Sequence, residues 1–282
     1  MTTVRDGSTD QHEIWNGRGG QAWVEAQSLL DQTFRPLEEA LADAVTETSA
    51  RSVLDIGCGT GATTVAAARR LGEEGSCLGI DLSEPMLEAA RARARREGVR
   101  VEFVRSDAES HAFEPASFDL FLSRFGIMFF SDPVRAFANL LGAASAGGRL
   151  HCIAWRRPED NPFMTTAGRA AEPLLPGVSR RPPEGPGPFG LADCDRCGEI
   201  LAKSGWRDVE LEPIDVPCAF PASGLDLYVT RLGPVGRALQ TVDDATRERV
   251  LEAIRPAFDP FRHGSEIRFI AACWLVRARA GG

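Results

Sequence analysis

Short apolar runs recur along the chain at about 52–56, 76–80, 101–104, 118–123 and 149–154, and the segments between them carry apolar residues at helical spacing. That alternation predicts an α/β fold with a mostly parallel sheet covered by helices on both faces. Helix starts are legible. Ser83 is placed to cap a helix with Pro85 in its first turn, and Leu82 can staple onto Leu87. Asp132-Pro133 opens a helix expected to end near Gly147, and Asp193 caps one that Gly205 terminates. An N-terminal helix is expected over about 22–45, with two late strands at 209–216 and 266–278. Two further helices are expected at 225–239 and 245–257. The proline- and glycine-rich stretch 180–189 can only be a loop.

The first strand runs directly into Asp55-Ile-Gly57-Cys-Gly59-Thr-Gly61 and then a helix. Glycines at 57, 59 and 61 remove side chains that would hold a ligand off the backbone, and the following helix points free N–H groups at the turn. By spacing alone this is also a dinucleotide fingerprint. Two acids narrow it. Asp55, at the strand end, would repel a pyrophosphate and suits a cationic ligand. Asp81, at the tip of the next strand, can accept both hydroxyls of a ribose and fits either cofactor.

Those residues, in that order, resemble the class I S-adenosylmethionine-dependent methyltransferases, and the likeness continues downstream. Residues 55–61 look like their first motif and Gly79-Ile-Asp81-Leu82-Ser83 like their second. Residues 101–108 resemble the third, 118–125 the fourth and Gly147-Gly-Arg-Leu150 the turn before the fifth strand. Trp15-Asn16-Gly17 and Ser123-Arg-Phe-Gly126 are similar to bacterial small-molecule members related to the ubiquinone- and menaquinone-biosynthesis enzymes. The resemblance implies a Rossmann-like seven-stranded sheet whose last strand is antiparallel. It implies S-adenosyl-L-methionine as cofactor, held by Asp55, Gly57, Gly59, Gly61, Asp81, Leu82, Met86, Asp107, Ala108 and Ser123. Trp15 would shield the sulfonium.

Parallel sheets bind ligands outside the carboxyl ends of their strands. Insertions at about 155–192 and 217–262 leave such ends, so they should form a helical cap on a domain spanning 49–282, preceded by a helical segment 1–48. Phe129, after the fourth strand, and Trp155, Arg156 and Phe189, in the first insertion, lie on segments leaving the sheet's ligand edge and are the expected substrate contacts, with few polar groups among them, which suits a hydrophobic or aromatic acceptor. Methyl transfer from a sulfonium needs alignment and exclusion of water more than a dedicated base. His111 and Arg124 are the catalytic candidates, the first as a base and the second to orient an anion. His12, in a tail, and His151 and His263 are weaker.

Composition excludes several classes. A net charge of −8 argues against nucleic acid as partner, and Arg91-Ala-Arg-Ala-Arg-Arg96 reads as a solvated helix face beside buried Met86, Leu87, Ala90 and Ala94. No apolar run reaches membrane-spanning length and residues 1–13 do not read as a signal peptide, so a cytoplasmic protein without a membrane partner is expected. Seven cysteines, odd in number and several of them in apolar strands, give neither a disulfide framework nor, at Cys194-Asp-Arg-Cys197, a complete metal site. A homodimer is left open. Two other functions fit the same residues. One is an NAD(P)-dependent oxidoreductase, although a single Tyr at 228 and a single Lys at 203 do not make the paired Tyr and Lys of its short-chain form. The other is an S-adenosylmethionine-binding protein without transfer activity.

Overall fold

The computed structural model describes residues 7–179 and 185–281, so the first half of the 180–189 stretch lies outside the described residues. Three helices open the chain where one was expected: α1 (Gly7–Asn16), α2 (Arg18–Glu25) and α3 (Gln27–Glu47). His12 therefore belongs to a helix rather than a tail. Breaks fall at Gly17 and Ala26, and α2 docks by close backbone approach. A Cβ on Gly20 would stand 2.1 Å from the Trp15 carbonyl and 2.5 Å from Ser83 Oγ.

The motif-bearing core follows as β1 (Ser52–Ile56), α4 (Ala62–Leu71), β2 (Ser76–Asp81), α5 (Glu84–Glu97), β3 (Glu102–Arg105) and β4 (Phe118–Arg124). Ser83 caps α5 by accepting from Met86 N, and Gly98 ends it at φ 65°. Asp132 caps α6 (Pro133–Ala143) through the Arg135 amide. The chain then enters β5 (Ala144–Trp155) directly, five residues earlier than expected, because Ala144 already pairs with Phe118 and Ser145 Oγ donates to the Phe118 carbonyl.

After α7 (Pro162–Ala171) and α8 (Cys194–Lys203), capped by Asp193, comes β6 (Arg207–Pro221). The expected helix 225–239 is two, α9 (Leu225–Arg231) and α10 (Gly233–Ala238), split where Gly233 adopts φ 67° before Pro234. Then come α11 (Asp244–Ala257), β7 (Arg262–His263) and β8 (Glu266–Arg279). The sheet order is β3-β2-β1-β4-β5-β8-β6. It has eight strands rather than seven, because the chain returning from α11 hairpins through Gly264 and pairs β7 onto β8. Strands β1 to β5 are parallel, and β8 is antiparallel to both β5 and β6. That ladder, from Arg207↔Arg279 to Pro221↔Glu266, extends β6 well beyond 209–216.

One consequence positions the site. Since β6 runs parallel to β5, both long insertions leave the same sheet edge as the glycine turn. The insertions pack on each other through α7, α10 and α11. Their interior is aromatic: Phe163 stacks on Phe269 with centroids 3.9 Å apart, edged by Phe220, Phe258 and Phe261.

Candidate functional site

The turn after β1 is held by the backbone of β2, with Gly57 N and Cys58 N both donating to the Ile80 carbonyl. Gly57, Gly59 and Gly61 all have positive φ, yet they do different work. A Cβ on Gly57 would meet Gly126 Cα at 2.7 Å, and one on Gly61 would meet Ala90 Cβ at 2.8 Å, so these two glycines admit protein. Gly59 alone faces room, with only Met86 Sδ at 3.7 Å. This is the division of labour expected of a glycine turn that lets a ligand approach at its middle position.

Asp81 closes the turn from the neighbouring strand. Its Oδ2 accepts from Gly59 N and its Oδ1 from Ser83 N, both at 2.8 Å. Each carboxylate oxygen has a further lone pair for a ligand hydroxyl. Burial raises its pKa, against the backbone donors, which favour the anion.

Beneath the turn lies Asp55, 1% exposed. Its Oδ2 accepts from Thr64 Oγ1 at 2.7 Å, while Oδ1 is buried with no hydrogen-bond partner. Burial pushes this carboxyl up to about 7. Arg124, at the end of β4, donates at 3.4 Å to the Phe34 carbonyl and lies 5.9 Å from the centre of the Phe34 ring. Burial lowers its pKa, while Glu38, Asp31 and Asp55 favour the cation. Glu38, half-buried on α3, is raised by burial. Sequence reading did not single it out, nor Arg93. Arg93 is buried rather than solvated: its Nε donates to the Thr60 carbonyl at 3.0 Å and its guanidinium pairs with Asp31 at 2.5 Å. Position 93 lies seven residues after Met86 and three after Ala90, on the buried face of α5, so helical periodicity held the signal.

On the β2–β3 side, α1 clips to the loop that carries Leu82. Asn16 Nδ2 donates to the Leu82 carbonyl at 2.9 Å, and Asn16 Oδ1 accepts from Glu84 N. A groove lined by His12, Glu13, Leu82, Arg105, Ser106, Asp107 and Ser110 opens here. Asp107 Oδ1 accepts from Glu109 N. Ala108 is buried, its carbonyl held by Asn139. His111 turns away to Ser106 Oγ at 3.1 Å and rests edge-on against Phe113.

Several expected contacts are committed elsewhere. Ser123 is fully buried, donates to the Ile56 carbonyl at 2.7 Å and accepts from Gly126 N and Ile127 N, so its hydroxyl clasps β1 to β4 and is spent. Trp155 is 5% exposed and stacks on Phe125 at 4.3 Å, with Phe34 at the edge of both rings. Phe125 holds φ 67°, a costly conformation for a non-glycine, and this stack fixes it. Arg156 pairs with Asp215 at 2.9 Å and Asp160 at 3.3 Å and covers the Trp274 ring. The side chains of Trp155 and Arg156 are thus largely covered by protein contacts. Phe129 does reach the N-terminal helices, edge-on to Trp15 of α1 at 5.1 Å, and Trp15 in turn meets Trp23 of α2. Phe189 is partly buried against the core.

Residues 53–148 match the methyltransferase domain family. Aklanonic acid methyltransferase DauC of Streptomyces sp. (strain C5) is 35% identical over 46% of this chain and 61% of its own length. Nocamycin O-methyltransferase of Saccharothrix syringae is 38% identical over 42% of each chain. The chain thus spans about half the length of these curated relatives. Among solved structures, the YcgJ protein of Bacillus subtilis, 20% identical, aligns with a TM-score of 0.55 over 86% of this chain and 98% of that one. That likeness speaks to the fold. Among the described residues no helix is long and apolar enough to cross a membrane, and no group of His, Cys, Asp and Glu is arranged for a metal.

Proposed function

Because residues 53–148 match a methyltransferase domain family, we propose that the protein transfers the methyl group of S-adenosylmethionine to a small, hydrophobic or aromatic organic acceptor. The observation that carries this reading is the open position at Gly59 with Asp81 beside it, a cradle with room for a nucleoside and a carboxylate for its ribose. The groove from Leu82 to Asp107 continues the same edge and suits an adenine, with Asp107 toward its amino group. Both curated relatives bear names of small-molecule methyltransferases, which favours an acceptor of that kind.

Bound there, the cofactor supplies a methyl group on a positively charged sulfur. This chain's residues bind, orient and keep water out. Asp81 fixes the ribose, Gly59 and Met86 form the floor, and α1 and α2 close the cleft by the Asn16 clip and the Trp15–Phe129 contact. His111 is engaged with Ser106, so we assign the main rate enhancement to approach geometry rather than to a base. The cap formed by α7, α9, α10 and α11 and the helices α1 to α3 would together enclose the acceptor. With a net charge of −8, a nucleic-acid acceptor is disfavoured.

Mass spectrometry of ligand released from the purified protein tests the reading. S-adenosylmethionine or S-adenosylhomocysteine is expected. A bound nicotinamide dinucleotide would overturn it.

A further inference from the structure

Glu109 follows the groove residue Asp107 by two positions, and its carboxylate holds a different segment. Oε1 accepts from Ser131 N, and Oε2 accepts from Asp132 N at 3.2 Å and from the Arg135 guanidinium at 3.1 Å. The Glu109 side chain is 4% exposed, whereas that of Arg135 is 60% exposed. Burying a carboxylate carries a desolvation cost that an apolar side chain of similar volume would avoid, so packing alone does not account for it. What a carboxylate adds is two-point registry on adjacent backbone amides. A second tie lies farther along α6, where Asn139 Nδ2 donates to the carbonyls of Ala108 and His111. Residues 107–111 and the start of α6 are therefore held as one body.

Both ends of that body face the cleft. At one end Asp107, whose Oδ1 accepts from Glu109 N at 2.9 Å, lines the groove assigned to the adenine. At the other, Phe129 lies two residues before Ser131 and meets Trp15 edge-on at 5.1 Å. The residue after Trp15 is Asn16, clipped to Leu82 and Glu84 beside Asp81. The contacts thus run from the adenine side, across the expected acceptor contact Phe129, and back to the ribose side.

We propose that Glu109 is a positioning residue that makes the placement of Phe129, and through it the closure of α1, depend on occupancy of the nucleoside groove. The proposal rests on the reading of the cleft as a cofactor site. A nucleoside that orders Asp107 orders Ser131 and Asp132 with it, so the acceptor wall is set only once the cofactor is in place. By reciprocity, an acceptor seated on Phe129 tightens the cofactor by the same factor. The bond to Asp107 comes from the backbone amide of Glu109, so a change of its side chain leaves the adenine side intact and cuts only the link to 131–132.

The test is hydrogen exchange of the full chain, read by mass spectrometry across a titration with S-adenosylhomocysteine, each protein being compared with its own unliganded state. In wild type, residues 105–110 and 126–132 should slow in parallel, by at least about fivefold, the low end of couplings between sites. Glu109→Gln is isosteric and keeps one acceptor oxygen, so it satisfies one of the two amides and turns an NH2 group toward the other. It should keep the slowing at 105–110 and the affinity for S-adenosylhomocysteine, and lose most of the slowing at 126–132. A purely structural role would speed exchange at 126–132 equally with and without ligand, leaving the ligand-induced difference unchanged, and that result refutes the proposal. Slowing confined to 105–110 in wild type refutes it too, even if the variant does not fold. Either pattern, with S-adenosylhomocysteine bound, overturns the inference alone, whereas no binding removes the cofactor reading beneath it as well.

Discussion

Replacing Arg93 by methionine keeps most of the apolar stem and deletes every donor, so it isolates what the guanidinium does. Two contacts are lost: the Thr60 carbonyl at 3.0 Å and the Asp31 carboxylate at 2.5 Å. A hydrogen bond to a charged group contributes about 1.5–3 kcal/mol. The Arg93 side chain is 9% exposed but that of Asp31 is 28% exposed, so water can take over part of the Asp31 contact and the low end applies to each. The expected loss is therefore about 3 kcal/mol, read as a lower urea midpoint at unchanged slope. Arg93→Lys should recover half or less, because one ammonium cannot fork between a carbonyl on the glycine turn and a carboxylate on α3. Nucleoside affinity should fall as well, since Thr60 lies between Gly59 and Gly61. Stability within about 0.5 kcal/mol of wild type, the range of an ordinary surface substitution, would restore the solvated-face reading and refute the packing argument.

Gly59→Val carries the strain of a side chain at φ 53° but should leave a folded protein by circular dichroism and lower nucleoside affinity more than tenfold. Gly57→Ala, which drives a methyl into Gly126, should instead lower the urea midpoint with little change in the affinity of the folded protein; a folded Gly59→Val of unchanged affinity would contradict the assignment of the two glycines. Asp81→Ala removes the acceptor for Gly59 N and Ser83 N as well as the ribose contact, and should weaken binding by about 1.5–3 kcal/mol; unchanged calorimetric affinity would place the ribose elsewhere. Because the folded pKa of Asp55 is raised, from 3.8 to about 7, the native state binds the extra proton and this group's stabilisation is lost as pH rises from about 4 through 7. Asp55→Asn should thus gain on wild type between pH 5 and pH 8 in urea melts, and parallel pH profiles would show that the carboxyl is ionised throughout.

The glycine turn, Asp81 and the caps at Ser83, Asp132 and Asp193 were legible in the sequence because each is a local requirement: a positive φ, a strand tip, a side chain three residues before the amide it satisfies. The two-residue β7, hairpinned onto β8, is too short to leave an alternation pattern, and the full length of β6 was not legible because its register with β8 is set by partners 45 to 72 residues away. Ser123 looked like a ligand group for the same reason. Its position beside the cleft is readable, but the carbonyl of Ile56 that consumes its hydroxyl is 67 residues distant in sequence. Trp155 and Arg156 have the composition of a pocket wall, and only the stack on Phe125 and the pair with Asp215 show that their surfaces are already covered. Asn16 carried a trace in the Trp15-Asn16-Gly17 signature, though its role in clipping α1 to Leu82 depends on the three-dimensional approach of α2 at Gly20.

The Gly59–Asp81 cradle is assigned as the nucleoside site for the sulfonium cofactor. Side-by-side calorimetry of the full chain with S-adenosylhomocysteine and with NADH tests that most directly. The account predicts saturable binding of S-adenosylhomocysteine, weakened by Gly59→Val and by Asp81→Ala, and no saturable heat with NADH. Tight NADH binding together with no response to S-adenosylhomocysteine would contradict it.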